Sequence, residues 1–153
     1  MTSCVSRRKN YYKPAEECFE KIIEALENKD SEGLKAMFSA TALKEAEDID
    51  TGIEYIMDLY KGEFKSISRN SPGAQSSRSY GTITYEMVTG SYTFETSEDT
   101  YRLTFGNLTV DADSNNVGLM GLVIVREEEY KKYFDEYTKV RYGVYYPGKT
   151  IEE

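Results

Sequence analysis

The apolar residues of this 153-residue chain change their period once, near Gly62, and no other feature limits the fold as much. Before it they recur at helical spacing. Ala15, Cys18, Phe19, Ile22, Ile23 and Leu26 form one stripe, with Glu16, Glu20, Glu24 and Glu27 largely on the other side. That pattern predicts an amphipathic helix from Pro14 to about Asn28. Pro14 suits a first turn, where its missing N–H would be unpaired anyway. Asp30 or Ser31 can cap a second, short helix carrying Leu34, Met37 and Phe38, and Thr41 can cap a short turn through Leu43 and Ala46. Ile49, Ile53, Ile56, Met57 and Tyr60 mark a stronger helix, with Gly62 at its C-cap.

After Gly62 the apolar residues alternate. Residues 64–69 read as a first strand, and residues 70–79, rich in Ser with Pro72 and Gly73, as a loop. Residues 80–88 read as a strand, and Thr89-Gly90-Ser91 as a turn. Residues 92–96 and 100–105 read as a hairpin joined by Ser97, Glu98 and Asp99. Gly106 and Asn107 bend or bulge that strand. Residues 111–116 form a polar turn, and the most apolar strand, 117–125, belongs at the centre of the sheet. Residues 127–137 read as a short helix with Tyr130, Tyr133, Phe134 and Tyr137 on one face. The aromatic tail, 140–147, either adds an edge strand or docks on the surface. Helices first and then a run of antiparallel strands define an α+β domain, its helices on one face of a curved sheet. Residues 1–13, with Arg7, Arg8, Lys9 and Lys13, read as a polar leader, and residues 14–153 as one domain.

Composition narrows the chemistry. Lys and Arg number 19 and Asp and Glu 27, a net charge of −8 that disfavours nucleic acid as a partner. The chain has no histidine, which excludes a Ser-His-Asp or Cys-His nucleophile and His-ligated metal. It has no tryptophan but 14 tyrosines, residues that suit half-buried sheet faces and pocket walls. Neither a P-loop nor a dinucleotide glycine pattern is present, so no cofactor is expected. Asp111, Asp113 and Asn115 have the first spacings of a calcium loop. Asn116 then stands where the glycine belongs and Leu122 where the bidentate Glu belongs, so an Asx-rich turn is the better account. Cys18, on the apolar stripe, reads as a buried small hydrophobe.

The passage from Ala15 to Asn28, then Lys29-Asp30-Ser31-Glu32-Gly33-Leu34 leading to Met37-Phe38-Ser39, resembles the first-to-second-helix joint of the nuclear transport factor 2-like superfamily. This includes the ketosteroid-isomerase-like and SnoaL-like families. The likeness covers about residues 14–126, and within it the chain looks most like small secreted or lipid-anchored bacterial proteins without assigned activity. It implies a cystatin-like cone, a bent sheet with helices over an inner cavity. Met1-Thr2-Ser3-Cys4 resembles the end of a bacterial lipobox, which implies a diacyl anchor on Cys4 and an extracytoplasmic location. No charged or apolar signal segment precedes Cys4, and a cytoplasmic leader is the alternative.

Two functions of different class fit these readings. One is a binding module at the cell surface, without catalysis, taking a small apolar ligand or a protein partner. Its candidate contacts are Tyr85, Met87, Phe94, Tyr101, Leu103 and Phe105, most of them expected on one face of neighbouring strands. The other is an isomerase- or cyclase-like enzyme, which needs a cavity carboxylate beside a Tyr. Asp58 and Tyr55, with Tyr85 or Tyr101, supply the residue types, but Asp58 falls off the apolar stripe. A homodimer through the tail residues Tyr142 to Tyr146 is a further expectation.

Overall fold

A computed structural model describes residues 2–132 and 134–149, with the side chains of residues 2–12 and 137 left out. Four helices come first: α1 (Thr2–Glu27), α2 (Ser31–Ala36), α3 (Ala40–Glu45) and α4 (Ile49–Leu59). The strands β1 (Phe64–Ser79), β2 (Thr82–Thr96), β3 (Thr100–Val110) and β4 (Gly118–Arg126) follow. The short helix α5 (Phe134–Tyr137) and strand β5 (Gly143–Val144) close the chain. The protein is α+β, and its sheet is open, in the order β1-β2-β3-β4-β5. It is mixed, because β5 pairs parallel to β4 while the other pairs are antiparallel.

The helical half follows the apolar stripe with local changes. α1 begins upstream of Pro14 and carries that proline inside it, at the cost of one backbone hydrogen bond. Asp30 caps α2 through its carboxylate, which accepts the Gly33 N–H at 2.9 Å. The cap of α3 is Ser39, not Thr41, its hydroxyl taking the Ala42 N–H at 3.0 Å. Ser39 wins because its own backbone is already fixed: its N–H donates to Leu119 O (2.9 Å), and Leu119 N–H to Met37 O (2.9 Å). This two-bond clasp joins the α2–α3 link to β4. α4 has its C-cap at Tyr60, two residues before Gly62. Lys29, from the end of α1, donates to the carbonyls of Met57 (2.7 Å) and Tyr60 (3.1 Å) there.

The strand half departs more. The Ser-rich stretch 70–79 is no loop. It continues β1, paired with β2 residue by residue to Ser79 and Thr82. A two-residue turn makes this possible: Tyr80 and Gly81 both take positive φ (50° and 80°), as a tight hairpin requires. β1 is an edge strand, where Pro72 is tolerated and polar residues face water on both sides. Thr89-Gly90-Ser91 is no turn either, and lies within β2. A Cβ on Gly90 would stand 2.6 Å from both the Phe105 and Tyr92 rings, so this glycine makes room for aromatic packing. The expected irregularity at Gly106/Asn107 is a bulge that leaves Met120 extra on β4. Residues 127–137 divide into a 3₁₀ turn at Glu127–Glu129 and α5, and Tyr133 lies outside the described residues.

All four N-terminal helices pack on one face of the sheet. Their apolar residues meet Val88, Tyr92, Phe94, Tyr101, Leu103, Phe105, Leu122 and Ile124 in one core. Val123, Val125 and Tyr145 form a second cluster, with Tyr130 and Val140 against it. It lies on the opposite face, since successive strand residues point to opposite sides. The tail therefore serves its own sheet: Tyr145 N–H donates to Leu122 O at 3.0 Å. Gly52 lets the tail come close to α4, where a Cβ would stand 2.7 Å from Val144. Asp48 holds it there. Lys149 Nζ donates to both carboxylate oxygens at 2.7 Å and Tyr146 Oη to one at 2.9 Å. Burial raises the Asp48 pKa, but the hydrogen bonds from Lys149 and Tyr146 and the Lys149 charge outweigh it, leaving the carboxyl below its ordinary range. The stabilisation is therefore present above the unfolded value, near pH 4, and is lost as pH falls through the lower folded one. The Val144 and Tyr145 amide signals should hold from neutral pH to about pH 4 and move below it. Asp48→Asn should displace them at every pH and cost about 1–3 kcal/mol in urea unfolding. Unmoved tail signals in that variant would contradict the tether.

Candidate functional site

The candidate site is a groove of about 720 Å³ on the sheet face turned away from the four N-terminal helices. Its floor is the outward residues of the central strands: Tyr85, Met87, Thr89 and Ser91 of β2, Thr104 and Gly106 of β3, and Gly121 and Val123 of β4. Its far wall is the segment after β4, through Tyr130, Phe134, Val140, Arg141 and Tyr142. Alternation explains the floor. Val88, Tyr92 and Phe94 turn toward the helices, so Met87, Thr89 and Ser91 turn away. Gly106 and Gly121 face each other across β3 and β4, leaving the floor low at the bulge.

Arg102 holds the wall in place. Its guanidinium makes a two-pronged bond to Glu127 (3.1 and 2.9 Å) and lies 3.6 Å from the centre of the Tyr130 ring. A fork-shaped cation on a carboxylate and an aromatic face fixes both partners. Further along, Tyr145 Oη donates to Glu136 at 2.9 Å. Asp111 is the one carboxylate lining the groove among the described residues, and it is engaged. Its Oδ2 accepts the Asp113 N–H (3.2 Å) and the Asn116 side-chain amide (2.8 Å), an Asx turn.

Most of the six candidate contacts do share one face, but it is the face covered by the helices. Tyr85 and Met87 line the groove. Phe94, Tyr101 and Leu103 are each 0% exposed, packed beneath the helices. Phe105 belongs to the same core and reaches the groove edge. Tyr101 is committed to structure: its hydroxyl donates to Leu59 O (2.8 Å) and accepts the Lys61 N–H (2.9 Å). Burial is the largest influence on its phenol and raises the pKa. Asp58 is exposed, as its place on α4 predicts, and Tyr55 is half-buried. A carboxylate and a tyrosine do meet at Tyr60 and Glu27 (2.8 Å), the tyrosine buried in the core and the glutamate exposed at its rim, outside the groove. There the same Glu27 oxygen accepts the Phe64 N–H and ties α1 to the start of β1. The Cys4 side chain lies outside the described residues.

Sequence pattern could not supply the groove wall, because β5 and the α5 segment are too short for periodicity. The signal was the concentration of aromatics after residue 129. Cys18 is 5% exposed and a free thiol. Burial pushes its pKa up to about 12, and nearby Lys21 only partly offsets this. In a Cys4→Ser chain at pH near 8, a thiol reagent should leave Cys18 unmodified in the native state and modify it in urea. Rapid native modification would contradict the packing.

The family model described as "Domain of unknown function (DUF5104)" matches residues 21–132, and the chain belongs to that family. No curated protein matches the chain. The matched region holds the groove floor and Tyr130, and stops before Phe134, Val140, Arg141 and Tyr142 of the wall.

Proposed function

With membership of a family of unknown function as the premise, we propose that this protein is a binding module that takes a small, largely apolar molecule in the groove opposite the helices. The observation that carries this reading is the groove itself. A pocket of about 720 Å³ lies within the usual size for small ligands, roughly 300–1,000 Å³. Its residues combine rings and a thioether (Tyr85, Met87, Tyr130, Phe134) with hydroxyls that have capacity to spare (Thr89, Ser91, Thr104). Such a lining favours an apolar body oriented by one or two hydrogen bonds. No Asp or Glu is buried among the described residues, and the groove's one carboxylate serves a turn. That supports binding over acid–base chemistry of the isomerase kind.

The order of helices before sheet, with the helices on one face, supports a nuclear transport factor 2-like cone as the finer description of the fold. Secretion with lipid attachment at Cys4 rests on the Met1-Thr2-Ser3-Cys4 likeness. In that setting the Arg7-Arg8-Lys9 run would lie near anionic headgroups.

Thr104 sits in the middle of the floor, 3.5 Å from Ser91 through their hydroxyls. Thr104→Trp should fill the groove, and Thr104→Val should leave its shape. In a screen of apolar fragments by amide NMR, hits should shift Thr89, Ser91, Gly106 and Gly121. The Trp variant should weaken them by about 100-fold or more and the Val variant by less than about tenfold. Fragments that shift none of these signals, or that bind the Trp variant equally, would contradict the reading.

A further inference from the structure

A second concavity lies between α1 and the first half of β1, with a different chemistry. Its volume is about 480 Å³. Glu16, Glu20 and Glu24 line it from α1, each one helical turn from the next. Its apolar part comes from Phe19, Ile23, Phe64, Ile67 and Tyr92. Phe19 stacks on Tyr92 with ring centres 4.3 Å apart and meets Phe64 edge-on at 6.2 Å.

Two features of this cleft are unfinished. The first is the Tyr92 hydroxyl. The residue is 1% exposed, and its hydroxyl has no hydrogen-bond partner among the described residues. Nearly all buried polar groups are paired, and leaving one unpaired is costly. The second is the glutamate row. Like charges one turn apart on a helix repel. Among the described residues none of the three forms an ion pair, the nearby Lys13 being bound to Glu17 and Lys65 to Glu63. The described residues contain no acidic cluster arranged to hold a metal ion. Burial foremost, then the Glu16 charge, Cys18 and Glu20, push the Tyr92 phenol up to about 12, so it keeps its proton at neutral pH.

We propose that this cleft binds a small primary alkylammonium: the glutamates meet its charge, the Tyr92 oxygen accepts one N–H, and Phe19 and Phe64 enclose its carbon chain. A protonated amine carries the three donors that an array of carboxylates and a phenol oxygen can accept. An aromatic wall beside a cation adds attraction. A carboxylate ligand would be repelled by the same rim. The site lies on the other face of the sheet from the groove and does not depend on its occupant.

The test is an NMR titration of the full chain at low salt with n-hexylammonium, hexyltrimethylammonium, hexanoate and a capped lysine. Hexylammonium should bind saturably and shift Phe19, Ile23 and Tyr92. Hexanoate should not bind, and the capped lysine should bind more weakly than hexylammonium. The triple variant Glu16→Gln, Glu20→Gln, Glu24→Gln should weaken hexylammonium by about tenfold. Tyr92→Phe keeps the ring and should weaken hexylammonium several-fold, while leaving hexyltrimethylammonium, which has no N–H, unchanged. Glutamine has a helix propensity close to that of glutamate and preserves the helix, and circular dichroism checks it. Equal binding of hexanoate would overturn the proposal, as would undiminished affinity in the glutamine variant. So would shifts confined to the Thr104 groove, the lysine binding more tightly, or no saturation by about 10 mM.

Discussion

The structure depends on an aromatic layer between the helices and the sheet. Phe19 of α1 stacks on Tyr92, Tyr92 lies parallel to Phe105, and Phe94 stacks with Tyr101, which stacks with Tyr60 of α4. Ring contacts add to area burial by about 0.5–1.5 kcal/mol per pair. Rings are also wide, so neighbouring backbone must yield, and Gly90 is where it does. Because this layer fills the space under the helices, the large groove has to lie on the other side of the sheet.

That other side is finished by polar anchors acting at long range in sequence. Arg102 clamps Glu127 and Tyr130 to β3. Asp48 receives Lys149 and Tyr146 from the tail, about a hundred residues away. Between these two points the segment after β4 folds back and lays β5 along β4. The groove wall therefore stands on charge-assisted bonds as much as on apolar contact.

The helical half was legible because its stripes coincide with its buried residues: Ile22, Leu26, Ile53 and Ile56 are all at 0–3% exposure. The hairpin at Ser97–Asp99 and the bulge beside Gly106 were legible from turn chemistry. The start of β1 was legible, but its continuation through residues 70–79 was hidden, because an edge strand with water on both faces carries no alternation, and Ser, Pro and Gly are the residues of loops as well. Gly90 misled for a related reason, since a glycine required by packing looks like one required by a turn. The candidate contacts rest on residue type and on alternation along the strands. Type does not say which face is covered: Tyr85 and Met87 reach the groove, whereas Phe94, Tyr101 and Leu103 are spent in the core. The α1–β1 cleft has no signature in the sequence, because its glutamates have the spacing of an ordinary solvated helix face.

The aromatic row of the central strands that faces the helices is core, and the opposite face of those strands is the one that carries the large groove. Urea unfolding of Phe94→Ala and Tyr85→Ala tests it most directly. Phe94→Ala should lose about 3–5 kcal/mol and Tyr85→Ala below about 1 kcal/mol. Equal losses, or the reverse order, would contradict it.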